Sequence, residues 1–258
     1  MDYALVTGAS KGIGKAIATN LAARGFNILL VARSEELLQQ EAARITAQYP
    51  VRADWLALDL STAESAQTVY DWCRAKAYPV RALVNNAGYG LSGPFEKYSV
   101  EEHVNMMTLN MTTLVALTRL FLPGLRAQPR SYILNVASSA AYQAVPGLST
   151  YAATKAFVLQ FSRGLHQELH STTVSVTCVC PGATDTDFPN RAQVGPKGLK
   201  AAERLNMTPE SVALLATRAM LSRKAEVITG FVNKVGATLA WLLPKSLVEN
   251  IAGKIYEE

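Results

Sequence analysis

Short apolar runs alternate with helix-like segments along almost the entire chain. The runs are rich in Val, Ile and Leu without polar alternation, as is typical of parallel strands covered on both faces. Between them lie helical patterns, in which Ile13, Ile17 and Leu21 repeat at four-residue spacing before Gly25. The predicted strands are Tyr3–Thr7, Asn27–Val31, Arg52–Leu58, Ala82–Asn85, Ser131–Val136, Thr173–Val179 and a short Val227–Thr229. This order predicts an α/β fold with a doubly wound, mainly parallel seven-stranded sheet and helices on both faces.

The composition excludes several other classes of protein. With 49% apolar and 17% charged residues, the chain can bury a sizeable core, which excludes disorder. Three cysteines in 258 residues exclude a disulfide scaffold. The net charge of +5, from 25 Lys and Arg against 20 Asp and Glu, suggests an anionic ligand. Because the charge is mild and scattered, nucleic acid is not an expected partner. No linker interrupts the pattern, so we expect one domain over residues 1–258.

The two ends of the chain differ in character. The N-terminus shows no basic leader, long apolar stretch or cleavage site, so we expect a cytoplasmic location. The segment 231–258 begins with a mostly apolar stretch, Phe231 to Leu243, which at thirteen residues is too short to span a bilayer. We interpret it as a buried helix or a subunit interface. The alternative is a membrane-surface contact or a wall for a lipophilic substrate.

Two helix starts are predicted from residues that cap helices. Ser34 precedes Glu35 and Glu36, as an N-cap precedes an acidic first turn. Ser61 with Glu64 three residues later has the spacing of a capping box.

A glycine-rich turn follows the first strand. Glycines without side chains let the backbone approach a pyrophosphate, and the helix that follows offers free N–H groups. A strand before the turn and a helix after it make the pattern more specific than isolated glycines; a purely structural turn is the alternative. The residues predicted to contact a dinucleotide here are Gly8, Ser10, Lys11, Gly12, Ile13 and Gly14.

A phenol and an ammonium stand four residues apart on a predicted helix. Tyr151 and Lys155 therefore share one face, where the cation lowers the pKa of the phenol toward neutrality. Ser138 lies thirteen residues upstream, after the fifth strand, and Asn110 lies on the preceding long helix. With the glycine spacing G-x-x-x-G-x-G, this set resembles the short-chain dehydrogenase/reductase family, in its branch of about 250 residues with a Rossmann-like fold. The resemblance extends over essentially the whole chain.

The resemblance implies a role for each of these residues. Tyr151 gives a proton to a carbonyl oxygen during reduction or takes one from the alcohol during oxidation. Ser138 hydrogen-bonds the same oxygen, with Ser139 as the alternative serine. Lys155 holds the nicotinamide ribose and lowers the pKa of Tyr151, and Asn110 supports a water linked to Lys155. The hydride belongs to the nicotinamide.

Other cofactor contacts are implied in the same way. Asp59 matches an adenine contact, and the segment Pro181 to Thr184 matches a turn that caps the nicotinamide. Asn85 to Gly88 closes the fourth strand, where a structural role and a cofactor role stay equally open. The implied contacts are Asp59, Leu60, Asn86, Ala87, Gly88, Tyr151, Lys155, Pro181, Gly182 and Thr184.

The end of the second strand bears on the choice between NAD and NADP. An acidic residue there would accept hydrogen bonds from a free ribose 2′-hydroxyl, but the strand ends in Ala32, Arg33 and Ser34. Arg33 can pair a 2′-phosphate in a forked geometry, and Lys11 is close enough by family analogy to join it. We therefore expect NADP(H) to be preferred over NAD(H). The alternative is that both cations are merely solvated.

The irregular stretch 182–208 predicts a substrate loop, because it follows the sixth strand at the carboxyl end of the sheet. Walls are expected from residues 90–95, 140–148 and 188–205. The mostly apolar candidates are Tyr89, Leu91, Phe95, Tyr142, Val145, Leu148 and Phe188. We therefore expect an NADP(H)-dependent oxidoreductase that interconverts a hydrophobic carbonyl compound and its alcohol. An NADP-binding regulator without turnover is the alternative, and the resemblance implies a homodimer or homotetramer.

No metal site is expected. Cys178 and Cys180 lie on alternate positions of the sixth strand, and we expect them to point to opposite faces, where they could not share an ion. His103, His166 and His170 show no evident acidic partner for a triad.

Overall fold

Seven parallel strands form a single sheet in the order β3-β2-β1-β4-β5-β6-β7. The computed structural model describes residues 2–195, 199 and 206–256. The strands are β1 (Tyr3–Thr7), β2 (Asn27–Ala32), β3 (Ala53–Ala57), β4 (Val80–Asn85), β5 (Ser131–Val136), β6 (Val174–Cys180) and β7 (Glu226–Ile228). The predicted parallel sheet is confirmed, and each predicted strand end lies within two residues of the observed one.

Helices cover both faces of the sheet. They are α1 (Gly12–Ala22), α2 (Glu35–Gln48), α3 (Ser65–Ala75), α4 (Val100–Met107), α5 (Thr113–Arg126), α6 (Ser149–Glu168), α7 (Phe188–Arg191), α8 (Pro209–Leu221), α9 (Phe231–Leu242) and α10 (Lys245–Tyr256). Short 3-10 turns occupy Phe95–Lys97 and Ser139–Tyr142, and Thr108–Thr112 forms a π-helix.

Alternate strand residues pack into two separate cores, one on each face of the sheet. On one face, Val6 and Leu30 pack with side chains of α1, α2 and α8. On the other face, Leu5 and Leu29 pack with side chains of α3 and α5. Since successive strand residues point to opposite sides, an apolar strand without alternation is what two covered faces require.

A buried chain of hydrogen bonds ties the centre of the sheet to two helices. Asn85 Nδ2 on β4 donates to Thr118 Oγ1 on α5 at 3.1 Å and to Asn135 Oδ1 on β5 at 2.9 Å. Asn135 Nδ2 donates in turn to Ser162 Oγ on α6 at 2.9 Å. All four residues are buried, and buried polar groups of this kind fix one arrangement of the elements they join. This network holds α6, the helix that carries Tyr151, against the sheet.

The capping box predicted at Ser61 and Glu64 is wrong. The Ser61 hydroxyl donates to Asp59 Oδ1 at 2.8 Å, and the helix begins four residues later, at Ser65. A complete capping box instead opens α4, where Ser99 and Glu102 satisfy each other's backbone N–H groups. At the second predicted start, Ser34 is the N-cap residue of α2 and two glutamates occupy the first turn, although its side chain makes no capping hydrogen bond.

The prediction that Cys178 and Cys180 face apart is also wrong. Residues two apart on a strand share a face, and their Sγ atoms lie 3.8 Å from each other in the core. The hydrogen bond with the neighbouring sulfur and burial raise the pKa of Cys178, so its thiol stays protonated. Both side chains are buried and pack as small apolar groups.

The apolar stretch after β7 forms a helix, but its large side chains are not buried. Phe231 and Trp241 are 81% and 84% exposed, so the prediction of a buried helix is wrong. The subunit interface stays a prediction. Among the described residues, no helix is long and apolar enough to cross a membrane.

Candidate active site

A cavity of about 410 Å³ opens at the carboxyl ends of β1, β2, β4, β5 and β6, within the range of small-ligand sites. It collects most of the predicted site residues from distant parts of the chain. Those that line it are Gly8, Ser10, Lys11, Gly12, Ile13, Arg33, Asp59, Leu60, Asn86, Ala87, Gly88, Ser138, Tyr151, Lys155, Pro181, Gly182 and Thr184. Gly14 and Asn110 lie behind this wall and support it.

The glycine turn leaves no room for side chains at its base. A Cβ on Gly14 would lie 2.3 Å from Gly8 O and 2.4 Å from Asn86 Nδ2. Gly8 itself has a φ of +64°, which favours glycine. The turn therefore brings bare backbone and the N-terminus of α1 to the cavity, an arrangement that fits a pyrophosphate.

Asn86 locks the glycine turn to the end of β4. Its Nδ2 donates to Thr7 O at 2.9 Å and to Gly8 O at 3.1 Å. The Thr7 hydroxyl accepts from the backbone N–H groups of Asn86 and Ala87, both at 3.0 Å. The structural role left open for Asn86 is therefore present, and its place on the cavity wall leaves room for a cofactor contact as well.

Cations gather at the end of the cavity that lies beside β2. Arg33 and Lys11 both line the cavity, as the sequence predicts, and Arg191 of α7 lines it as well. The Arg191 guanidinium lies 4.3 Å from the centre of the Tyr89 ring, and burial and repulsion from Arg33 lower its pKa. Sequence analysis missed Arg191 because no pattern places one residue of an irregular loop against the end of β2.

Asp59 faces the same end of the cavity. Its carboxylate accepts from the Ser61 backbone N–H at 2.9 Å and from the Ser61 hydroxyl, and these bonds, with the charge of Arg33, hold its pKa below the usual range. It is therefore an ionised acceptor at neutral pH.

Tyr151 and Lys155 lie on one face of α6, in the wall of the cavity. Tyr151 is 8% and Lys155 is 5% exposed. Lys155 Nζ donates to Val136 O at 2.9 Å and lies 5.7 Å from the centre of the Tyr151 ring. Burial lowers the pKa of Lys155 to about 8, so the ammonium is still mostly charged at neutral pH. A phenol and a charged ammonium therefore lie side by side in the wall of the cavity, as a proton-exchanging pair requires.

Asn110 sits in the π-helix Thr108–Thr112, not on a regular helix as predicted. Its side chain is 1% exposed and fully used, since Nδ2 donates to Tyr89 O and Thr154 Oγ1 and Oδ1 accepts from Tyr89 N. Thr154 lies between Tyr151 and Lys155 in the chain. Asn110 therefore ties the π-helix to α6 through its side chain.

Ser138 and Ser139 both line the cavity at the end of β5. Ser138 Oγ accepts from Ala140 N at 3.1 Å and opens the 3-10 turn. The Ser139 backbone N–H donates to Pro181 O at 2.7 Å, which ties this turn to the one after β6. Both serines therefore stay candidates on position alone.

The predicted substrate loop lies over the cavity as far as the structure describes it. We call residues 184–194 the lid. Lys11 Nζ in the glycine turn lies 3.4 Å from Asp187 Oδ2 in the lid, and the Phe188 ring lies 5.2 Å from the Tyr151 ring. Residues 196–198 and 200–205 of the predicted loop, including the end of the predicted wall 188–205, lie outside the described residues.

The predicted apolar walls are only partly present. Leu148 and Phe188 line the cavity, and Tyr89, Leu91 and Val145 pack in the cluster around Tyr151. The prediction that Phe95 is a wall residue is wrong, because Phe95 is 67% exposed and stacks on His103 outside the cavity. The same prediction for Tyr142 is wrong as well, because the Tyr142 hydroxyl donates to Glu226 Oε1 and the residue does not line the cavity.

Comparison with known proteins agrees with this geometry. The family model for short chain dehydrogenase matches residues 2–195. The chain belongs to the short-chain dehydrogenase family. Proteins of this family bind NAD(P) and act on small molecules.

Two solved structures share the whole fold with this family member. A 7beta-hydroxysteroid dehydrogenase superposes with a TM-score of 0.87 at 25% identity, over 97% of this chain and 96% of its own. A short-chain dehydrogenase from Sphingobium yanoikuyae in complex with NADPH superposes with a TM-score of 0.82 at 29% identity, over 95% of this chain and 98% of its own.

Sequence relatives match a shorter region. A very-long-chain 3-oxoacyl-CoA reductase of Anas platyrhynchos is 39% identical over 185 residues, which cover 69% of this chain and 58% of the relative. The corresponding Bos taurus protein is 36% identical, over 70% of this chain and 58% of the relative. The match therefore spans less than two thirds of these relatives' length.

Proposed function

We propose that this short-chain dehydrogenase is an NADP(H)-dependent oxidoreductase that interconverts a hydrophobic carbonyl compound and its alcohol. The observation that carries the proposal is the buried pair Tyr151 and Lys155, facing a cavity whose opposite wall is a glycine turn without room for side chains. A glycine turn with a purely structural role would not need an acid–base pair in the wall of the same cavity.

The chemistry divides between the cofactor and the protein. A bound nicotinamide supplies or accepts the hydride. Tyr151 donates a proton to the carbonyl oxygen in reduction, and Ser138 donates a hydrogen bond to the same oxygen, where charge develops. Lys155 keeps its charge at neutral pH and lies 5.7 Å from the centre of the Tyr151 ring, while Asn110 holds the helix through Thr154 and Tyr89.

Three cations support the preference for NADP(H). Arg33 follows β2 and lies close enough to Arg191 to repel it, at the end of the strand where the adenosine ribose lies in dinucleotide-binding folds, and Lys11 lines the same cavity from the glycine turn. The end of β2 carries no acid that would accept a hydrogen bond from a free 2′-hydroxyl, because the residues there are Ala32, Arg33 and Ser34. Asp59 lies nearby but its carboxylate is used by Ser61.

An apolar cluster supports a hydrophobic substrate. Met106, Val145 and Leu148 pack with Tyr151, and Phe188 covers this cluster from the lid. Two relatives are named very-long-chain 3-oxoacyl-CoA reductases, which agrees with a carbonyl that carries a long apolar chain. A cytoplasmic location and a homodimer or homotetramer remain part of the proposal.

The test is an NADPH-coupled screen over ketones and 3-oxoacyl thioesters of graded chain length. Tyr151→Phe should lower turnover of the best substrate by about 10²–10⁴-fold, because the proton donor is lost. NADPH binding, measured by fluorescence, should stay intact. Ser138→Ala should lower turnover by about 10²–10³-fold, while Ser139→Ala serves as the matched control with little loss.

Three outcomes would contradict the proposal. Substantial turnover by Tyr151→Phe would refute the acid–base assignment. A larger loss of turnover in Ser139→Ala than in Ser138→Ala would assign the hydrogen bond to the carbonyl oxygen to Ser139. Tight NADPH binding without reduction of any compound in the screen would favour a regulator without turnover.

A further inference from the structure

Helix α9 presents its large apolar side chains to the outside of the molecule. Phe231, Val235, Leu239 and Leu242 occupy positions i, i+4, i+8 and i+11, so they lie along one side of the helix. They are 81%, 41%, 45% and 61% exposed, respectively. The four side chains form a continuous outward stripe along the helix.

The opposite side of α9 is small or polar and faces the protein. Asn233, Ala237 and Ala240 are the half-buried residues of the helix. Asn233 Nδ2 donates to Thr229 O at 2.8 Å, and its side chain lies against Gly182, which lines the cavity. A surface helix of a soluble protein has its apolar side turned inward, so α9 has the reverse arrangement. Because Asn233 holds the polar side of the helix against the protein, the apolar stripe faces outward.

The residues next to the stripe are those that favour a membrane–water interface. Trp241 is 84% exposed, and Lys234 lies on the exposed side of the helix. From residue 227 to residue 248 the chain has no Asp or Glu, and its two charged residues are Lys234 and Lys245. Tryptophan and lysine beside an outward apolar stripe are typical of helices that lie in the headgroup region.

Helix α10 continues the pattern directly after Pro244. Leu247 and Ile251, four residues apart, are 48% and 56% exposed. Val248 and Ala252, on the adjacent positions, are 9% and 3% exposed and hold the helix to the protein. The second helix is therefore docked by one side and leaves an apolar pair outward, as α9 does.

We propose that the stripe of α9, continued by Leu247 and Ile251, rests on an anionic lipid surface. Lys234 and Lys245 flank the stripe of α9, which has no acidic residue from residue 227 to residue 248, and they complement anionic headgroups. The acid that follows, Glu249 on α10, is half-buried. A second copy of the chain is the rival occupant. A two-fold contact through the stripe of α9 would bring like-charged lysines of both copies to one interface, which disfavours self-association, since α9 has no acid and Glu249 of α10 is half-buried. No helix among residues 2–195 and 206–256 can span a bilayer, so the contact is a peripheral one.

This surface lies beside the proposed active site. Helix α9 packs against the 3-10 turn Ser139–Tyr142 and against Gly182, and Ser139, Ala140 and Gly182 belong to the cavity wall. Contact with lipid would therefore bring the cavity close to a hydrophobic phase. The proposal concerns the surface alone and does not depend on the identity of the substrate.

The experiment is co-sedimentation of the full chain with phosphatidylcholine vesicles that contain or lack one third phosphatidylglycerol. Binding to the anionic vesicles and a blue shift of Trp241 fluorescence are expected. Leu239→Asp should weaken binding by at least ~10-fold, because it places a carboxylate in the apolar stripe. Replacing Lys234 and Lys245 by Gln should weaken binding to anionic vesicles by about fivefold for each lysine.

The matched control is Val100→Asp, the same charge change at an apolar residue that is 73% exposed on α4. It should bind vesicles like the unchanged chain. Circular dichroism and NADPH binding establish that both variants are folded, and analytical ultracentrifugation gives their mass. Absence of vesicle binding, or equal binding by Leu239→Asp, would overturn the proposal. So would a fall in mass with Leu239→Asp alone, which would assign the stripe to a second copy.

Discussion

The two walls of the cavity are built in different ways. The cofactor wall, which we define as residues 8–14 with 86–88, is held by backbone packing and by bonds from Asn86 and Thr7 to main-chain atoms. The lid, in contrast, meets the rest of the site through a backbone bond from Ser92 N to Ala192 O and mainly through side chains. These side-chain contacts include the exposed ion pair of Asp187 with Lys11, the ring contact of Phe188 with Tyr151 and the Arg191 guanidinium over Tyr89. A wall made of backbone tolerates almost no change, whereas a wall made of side chains can be altered one contact at a time.

This difference predicts that cofactor binding is sensitive to small substitutions and that substrate choice is adjustable. The four substitutions below test it, beginning with the one for which the largest effect is expected.

Gly14→Ala should abolish NADPH binding. The new Cβ would lie 2.3 Å from Gly8 O, so the turn or α1 must move, at a cost of about 2–4 kcal/mol in the free energy of unfolding. Thermal unfolding and NADPH fluorescence titration measure both effects. Gly124→Ala is the matched control, because no atom lies within 4 Å of its added Cβ, and it should stabilise α5 by about 0.5–1 kcal/mol. Unchanged NADPH binding by Gly14→Ala would break the contrast between the walls.

Arg33→Ala should weaken NADPH binding by about 10–100-fold, the usual loss for a charge-assisted bond to phosphate. NADH binding should change little, since the bond is made to the 2′-phosphate. Titration of both nucleotides gives the comparison, with Arg24→Ala as the control because Arg24 bonds Asn20 and does not line the cavity. Equal losses for the two nucleotides would refute the 2′-phosphate contact.

Phe188→Ala should raise the KM for an apolar carbonyl substrate by about tenfold, because it removes an aromatic side chain from the lid. NADPH binding should stay the same, as no change is made to the cofactor wall. Steady-state kinetics measure the KM. Phe157→Ala is the control, since Phe157 lies on α6 but is 40% exposed and stacks on Phe161. A loss of NADPH binding in Phe188→Ala would show that the lid also forms the cofactor wall.

Asp187→Asn should have the smallest effect. Its ion pair with Lys11 is more than half exposed on both sides, and such pairs contribute about 0–1 kcal/mol. Because Lys11 is then released toward the cofactor, NADPH binding should tighten by up to about threefold at low salt, and the gain should vanish in high salt. Binding titrations at two salt concentrations test this. Markedly weaker binding would show that the pair holds the lid in a position that the cofactor requires.

Sequence patterns predict the cofactor wall better than the lid for a physical reason. The strands that end at the cofactor wall, β1 and β4, are buried on both faces, so a continuous apolar run marks them. The predicted bounds of β1 and the predicted end of β4 at Asn85 match the structure. Glycine marks places where a side chain would clash, and Gly14 is such a place. In the lid, Arg191 and Asp187 take their positions from tertiary contacts that leave no periodic signal.

The wrong predictions come from patterns that fit two outcomes. Ser61 and Glu64 have the spacing of a capping box, but Asp59 offers the Ser61 hydroxyl and N–H a nearer acceptor. Ser99 and Glu102 have the same spacing, and there the box forms. Phe231 and Trp241 are apolar residues of a helix, which sequence favours as buried, yet Asn233 fixes the other side of that helix to the protein.

The π-helix at Thr108–Thr112 has a consequence for the evolution of this chain. A π-turn holds one residue more than an α-helical turn, so the residues before and after it no longer follow one periodic numbering. Deleting a residue in this stretch would restore a regular helix from α4 into α5, but would turn Asn110 by about 100° away from Thr154 and Tyr89. Loss of the extra residue is therefore disfavoured. Deleting it would make the helix regular but would remove the support that Asn110 gives to the site. Alignments of this chain with other proteins are best anchored separately on the two sides of it.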